Sequence, residues 1–223
     1  MNEPTSWQPI VFPENAMPQM AEALRSQPTP DVRGHAFSQE VVKYLGPQRT
    51  VVDIGAGIGR FTVPLAEADC DVWAVEPSAV MRDHLAQAVG ASPVASRIHT
   101  VPELWPAAEV PPVEVALAAL VIQFSPAPRA FIRAMEAVAT RRCVVAMHVE
   151  PRWVGLQDLW ALFHPDRPAL APPVFRDLYT LLWEEGIVAD VRVVEEPPRS
   201  DFWRDPQTVF DGMANLLDLS TEA

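Results

Sequence analysis

Cysteine is almost missing from this chain of 223 residues. Cys70 and Cys143 are the only two, and neither has a partner at metal-ligand spacing. They read as small buried hydrophobes in a reducing compartment, and no metal site is expected. Basic residues are also scarce. Lys and Arg total 17 against 29 Asp and Glu, a formal net charge of −12. A protein that neutralises phosphates needs a basic surface, so nucleic acid is excluded as a partner. No apolar run reaches the roughly 18 residues that a membrane span requires. The start, Met1-Asn2-Glu3-Pro4, lacks the basic residues and apolar stretch of a signal peptide. The expectation is a cytoplasmic protein with neither membrane nor nucleic-acid partner.

Proline and apolar residues are present in quantity. The 24 prolines are about twice ordinary usage. They cluster at 4–30, 102–112, 165–173 and 197–198, which marks segment borders. Apolar residues make up 49% of the chain, enough for one domain with a full core. The reading is a cap segment at 1–33, a main domain at 34–195 with a lid at 151–173, and a helical extension at 196–223.

Within the main domain, strands and helices alternate. Strands are expected at 50–54, 71–75, 97–101, 113–122, 143–149 and 187–194. Helices are expected at 18–25, 35–45, 58–68, 78–89, from Ser125-Pro126 onward, within 154–163, from Val174 to a Gly186 C-cap, and at 206–219. Val113 to Ile122 is almost wholly apolar, as a central parallel strand buried on both faces should be. The fold class is α/β: a doubly wound, mostly parallel, Rossmann-like sheet with helices on both faces.

The most informative stretch is Val51-Val-Asp-Ile-Gly-Ala-Gly-Ile-Gly59, followed by Val75-Glu-Pro-Ser78. A short apolar strand ends near an acidic residue, and three glycines follow at alternate positions. A helix and a second strand come next, and that strand ends in Glu76. Such glycines let the backbone approach a ligand closely. A carboxylate at the end of the second strand can accept hydrogen bonds from both hydroxyls of a ribose. The dinucleotide fingerprint is G-x-G-x-x-G. Here Gly55, Gly57 and Gly59 give G-x-G-x-G, with Asp53 two residues ahead.

This pattern resembles motif I of the class I S-adenosylmethionine-dependent methyltransferases, over roughly residues 34–195. Within that class the chain is most similar to the small-molecule enzymes of the ubiquinone/menaquinone type. The resemblance implies S-adenosylmethionine as cofactor and methyl transfer to a small organic acceptor. It implies that Asp53 faces the ammonium end of the methionine moiety. Gly55, Ala56, Gly57 and Gly59 form the close backbone surface. Glu76 holds the ribose, Pro77 and Met81 pack on the adenine, and Leu120 offers backbone contacts to the methionine end. Many relatives carry an acidic residue just after strand three, and Glu103 is the nearest candidate here. Arg60 is placed either on the methionine carboxylate or on the helix surface.

Methyl transfer from a sulfonium needs alignment first and a base only for some acceptors. Candidates stand at the carboxyl ends of strands four and five: Gln123, His148 and Glu150. His164 is a further one, in the lid. Trp153, Trp160 and Phe163 either wall an acceptor pocket or simply pack with Leu156 and Leu159 along one helix face. Trp153, Trp160 and His164 are expected nearer the transferred methyl than His84 or His99. Several family signatures are missing. There is no Asn/Asp-Pro-Pro-aromatic motif after strand four, no Pro-Cys nucleophile, no double-glutamate loop and no Asp/Asn cluster for magnesium. Two other readings stay open: a non-catalytic S-adenosylmethionine-binding module, and a nicotinamide-nucleotide enzyme. The family's seventh, antiparallel strand has no candidate run. It is expected to be missing or to lie beyond the given chain, leaving strand five as an unpaired edge.

Overall fold

A computed structural model describes residues 7–10, 17–25, 35–90, 93–149, 157–166 and 173–194. Five strands, all parallel, form one sheet in the order β3-β2-β1-β4-β5. They are β1 (Thr50–Ile54), β2 (Asp71–Val75), β3 (Ile98–Val101), β4 (Val113–Ala119) and β5 (Ala139–Ala146). The chain winds outward from β1 to β3, then returns to the other side of β1. The strand order therefore reverses between β1 and β4. Ligands bind at such a switch point, outside the carboxyl ends of the strands.

Seven helices surround the sheet among the described residues. They are α1 (Met17–Arg25), α2 (Ala36–Lys43), α3 (Thr62–Glu67), α4 (Ala79–Gly90), α5 (Pro128–Val138), α6 (Gln157–Phe163) and α7 (Phe175–Glu184). Side chains alternate across the sheet, so its two faces make two cores. Val52, Ile54, Ala116 and Ala118 pack with Phe131 and Met135 of α5 and Leu178 and Leu181 of α7. Val51, Val72, Val115 and Leu117 pack on the opposite face with Val41 of α2 and Leu65 of α3. Leu85 of α4 joins Ala56 and Ala74. None of these helices is long and apolar enough to cross a membrane.

Several boundaries differ from expectation, each for a local reason. β4 stops at Ala119 because Leu120 takes a left-handed conformation with φ +56°. A short 3₁₀ turn, Ile122–Phe124, replaces its expected end. β5 runs from Ala139 rather than from Cys143, so Arg141 and Arg142 lie within it. As an edge strand of this sheet it can turn them outward. Arg141 Nε donates to the Tyr44 carbonyl, and the Arg142 guanidinium lies 4.4 Å over the Tyr44 ring. Met147 to Val149 fall outside the strand. α3 begins at Thr62 rather than 58, after a run of turns through the glycine loop. α5 starts at Pro128. Ser125 instead holds the turn before it, its Oγ accepting from the Ala127 amide at 3.2 Å.

The sixth strand is a clear correction. Residues 187–194 make no strand, and Val188, Val191 and Val193 are exposed. The segment is tethered by ion pairs, Arg142 with Asp190 and Arg192 with Glu40, instead of by ladder hydrogen bonds. Its β-branched alternation scored local preference without a strand to pair with. The expected helix at 206–219, and any strand in 200–223, lie outside the described residues.

Candidate functional site at the switch point

The site grows from the carboxyl end of β1. Asp53 is its fourth residue and only 2% exposed. Thr62, the first residue of α3, donates its hydroxyl to Asp53 Oδ2 at 2.6 Å. Burial pushes the Asp53 carboxyl up to about 6 against the pull of that hydrogen bond, and the nearby Glu76 charge adds to the rise. Burial of a carboxylate without a cationic partner has this sign.

The glycine loop follows at once. Gly55 has φ +71°, and a Cβ there would stand 2.4 Å from Val121 Cγ2. The loop thus passes directly against the end of β4. Gly57 has φ +55°, and the nearest atom to a Cβ there is 4.0 Å away, so that point of the loop faces open space.

The loop's own amides are already engaged. Gly55 and Ala56 both donate to the Val75 carbonyl, at 2.8 and 3.0 Å, and Gly59 donates to Ala56 at 2.9 Å. Gly57 donates to Glu76 Oε2 at 2.8 Å. The other carboxylate oxygen, Oε1, accepts from the Ser78 amide at 2.8 Å. Glu76 is 7% exposed, and burial raises its pKa, opposed by these two amides and by Arg82. Each oxygen holds one backbone N–H and keeps a second lone pair, so the carboxylate can accept two further donors side by side.

β4 and β5 close the other side. The Leu120 amide donates to the Ala146 carbonyl at 3.0 Å, drawing the two strand ends together. Gln123 follows in the 3₁₀ turn and is 8% exposed. His148 lies half-buried two residues past β5, and its carbonyl accepts from Phe175 at the start of α7. The N-terminal segment reaches this corner. Ile10 donates its amide to the Gln123 carbonyl at 2.9 Å, and Trp7 Nε1 donates to the Ser125 carbonyl at 3.0 Å. α1 packs on α4, with Ala21 fully buried.

Residues 52–147 match the family model of the methyltransferase domain. That match covers less than half of the chain. The structure is similar to a S-adenosylmethionine-dependent methyltransferase from Aquifex aeolicus, with TM-score 0.58, 18% identity, and 80% of this chain and 92% of that one covered. It is also similar to magnesium protoporphyrin IX methyltransferase from Synechocystis PCC 6803 with bound S-adenosylhomocysteine: TM-score 0.54, 18% identity, 77% and 73% covered. A third is a methyltransferase of an antibiotic biosynthesis pathway from Anabaena variabilis, at TM-score 0.50 and 22% identity, covering 70% and 61%. The chain spans 60% of the length of the CcbJ methyltransferase from Streptomyces caelestis. No curated protein matches it.

The structure brings some sequence candidates together and leaves others apart. Asp53, the three glycines, Ala56, Glu76, Leu120 and Gln123 converge around the switch point. Pro77 follows Glu76 directly, and Arg82 donates to the carbonyls of both at 3.0 and 2.6 Å. Met81 is buried at the start of α4, whose first turn is capped by Ser78 Oγ. Glu103 is exposed beyond β3. The Arg60 guanidinium lies 5.9 Å from the Phe61 ring centroid. His164 packs on Trp160 at 4.4 Å between ring centroids. Leu159 and Phe163 are exposed while Trp160 is buried, so they do not share one packed face with it. His99 stacks on Trp73 at 4.8 Å, away from the site. Glu150, Trp153 and Leu156 lie outside the described residues. Thr62, Arg82 and Val121 had not stood out in the sequence. Thr62 was legible in principle, as a hydroxyl at a helix start nine residues after Asp53. No group of metal-ligating side chains exists among the described residues.

Proposed function

We propose that this chain transfers a methyl group from S-adenosylmethionine to a small organic acceptor. One observation carries the cofactor assignment. The amides of Gly55, Ala56, Gly57 and Gly59 are turned inward, and that of Gly57 braces Glu76. A pyrophosphate needs those amides pointing at it, and a buried Asp53 beside the loop repels it. A ribose on Glu76 and a cationic methionine end near Asp53 suit the same arrangement.

The roles follow from placement. Glu76 holds both ribose hydroxyls. Gly57 leaves room for the ligand to lie on the backbone. Pro77 and Met81 flank the adenine, and the left-handed Leu120 with Asp53 and Gly55 frames the methionine end. Glu103 is assigned to the adenine edge by its place just beyond the end of β3. When bound, S-adenosylmethionine supplies a methyl group on a positively charged sulfur. The acceptor's lone pair forms the new bond to that carbon, and the electrons of the old carbon–sulfur bond leave with sulfur. Alignment by the switch-point residues contributes most, and near-attack positioning is worth about 7–11 kcal/mol in favourable cases. His148 takes the proton from acceptors that must lose one. His164, packed on Trp160 of α6, is placed at the acceptor side.

The acceptor class is read from the acidic surface, the missing signatures of macromolecular methyltransferases, and the small-molecule enzymes of the same fold. The assignment to the ubiquinone/menaquinone type rests on the resemblance of the sequence. The test is a calorimetric titration with S-adenosylmethionine and with a nicotinamide dinucleotide, followed by mass spectrometry of methylated products from cell extract. Cofactor binding with methylated small products is expected. Tighter nicotinamide binding overturns the reading, and binding without any turnover makes the chain a non-catalytic module.

A further inference from the structure

The side chain of Gln123 is a buried polar group at the switch point that is only half satisfied among the described residues. Its Nε2 donates to the Leu120 carbonyl at 2.7 Å. Its Oε1 is buried and accepts from nothing among the described residues. The orientation is set by chemistry. A carbonyl can only accept, so the atom facing Leu120 is the amide nitrogen, and Oε1 is left as the presented acceptor. The backbone holds the residue still: its carbonyl takes the Ile10 amide, and Val121 two residues earlier presses on Gly55. An unmade buried hydrogen bond is costly to a folded protein, and its persistence at a ligand site asks for a ligand donor.

We infer that Gln123 is a specificity-determining residue of the acceptor subsite. Its Oε1 receives an N–H or O–H carried by the group to be methylated. The substrate is then an amine, reacting in its neutral form, or a hydroxyl compound, and a carboxylate acceptor is rejected because its oxygens would face Oε1 lone pair to lone pair. Gln123 takes no proton, since an amide is too weak a base. It orients the acceptor, and the departing proton goes to His148, the base assigned above. This inference rests on the methyltransferase reading above.

Sinefungin tests it without the natural substrate. In this cofactor analogue the methylated sulfur is replaced by carbon bearing an amine, which puts an N–H donor where the methyl leaves. Calorimetry would compare sinefungin and S-adenosylhomocysteine on the wild type, Gln123→Met and Gln123→Glu, with circular dichroism confirming the fold of each. In Gln123→Met the sinefungin affinity should fall about tenfold or more, as for loss of a hydrogen bond to a charged group. S-Adenosylhomocysteine should stay within about twofold. Gln123→Glu keeps an oxygen acceptor and should retain or strengthen sinefungin binding. Equal losses for both ligands would place Gln123 on the shared part of the cofactor and overturn the inference, as would unchanged affinity for both. If Gln123→Met does not fold, the Gln123→Glu arm decides, and weakened sinefungin binding there overturns it. Failure of the wild type to bind either ligand sinks the cofactor reading itself, which is a distinguishable result.

Discussion

The two ends of the sheet treat a buried carboxylate in opposite ways. At the amino end of β4, Glu114 accepts the amides of Gly46 at 2.9 Å and Gln48 at 3.2 Å. Burial alone would raise its pKa, but backbone hydrogen bonds from 46, 48, 49 and 50 outweigh this and hold it low. At the carboxyl end, Asp53 has one hydroxyl partner and Glu76 two amides, and burial wins at both. The lower end ties the approach to β1 and is finished as it stands. The upper end keeps charge without full compensation. Stability and ligand binding are thereby separated along one pair of strands, as expected where a site is built on a rigid sheet.

The largest expected effect comes from Asp53→Asn. The raised pKa of Asp53 means that its ionisation opposes folding. That penalty is absent below the ordinary value of 3.8, sets in as pH rises towards about 6, and is complete above it. Removing the charge should stabilise the ligand-free protein at pH 8 by up to about 3 kcal/mol, while weakening cofactor binding. Urea denaturation with calorimetry checks both. A destabilised variant would show that Asp53 is a structural carboxylate like Glu114.

Glu114→Gln probes the opposite end. It should cost about 1–2 kcal/mol of stability and leave cofactor affinity unchanged. Its contribution has the reverse sign with pH: present above the ordinary carboxyl value of 4.5 and lost as pH falls through the lowered one. Loss of cofactor binding at constant fold would break the division between the ends.

The pH profile of binding is a finer probe. If ionised Asp53 is the binding form, with its pKa at about 6, affinity for S-adenosylmethionine should drop about tenfold between pH 7 and pH 5. The drop should flatten in Asp53→Asn. A profile that persists in that variant assigns the titration to another group. The smallest effect is expected from Thr62→Val, which removes the 2.6 Å bond to Asp53. Affinity at pH 7 should weaken about fivefold or less, with the acid limb of the profile moved to higher pH.

Much of this arrangement was legible in the chain. β1 and β2 lie where apolar residues and flanking turns put them, because buried parallel strands carry their own signal. Asp53 and Glu76 stand at the strand ends where their spacing put them. The ends of β4 and β5 were not. Val113 to Ile122 reads as one run, and only the backbone shows that Leu120 turns left-handed and stops the strand. Residues 187–194 have strand composition without strand pairing, since pairing depends on a neighbour that local sequence does not reveal. The half-satisfied Gln123 amide could not be read at all. It needs the Leu120 carbonyl and the Ile10 backbone to be in place before its oxygen is left over.

The most direct test is calorimetric titration of S-adenosylmethionine into the wild type and Glu76→Ala. If Glu76 holds the ribose, the variant should bind about tenfold to a hundredfold more weakly, matching the roughly 1.5–3 kcal/mol of hydrogen bonds to a charged group. Unchanged affinity in a folded Glu76→Ala protein would contradict the account.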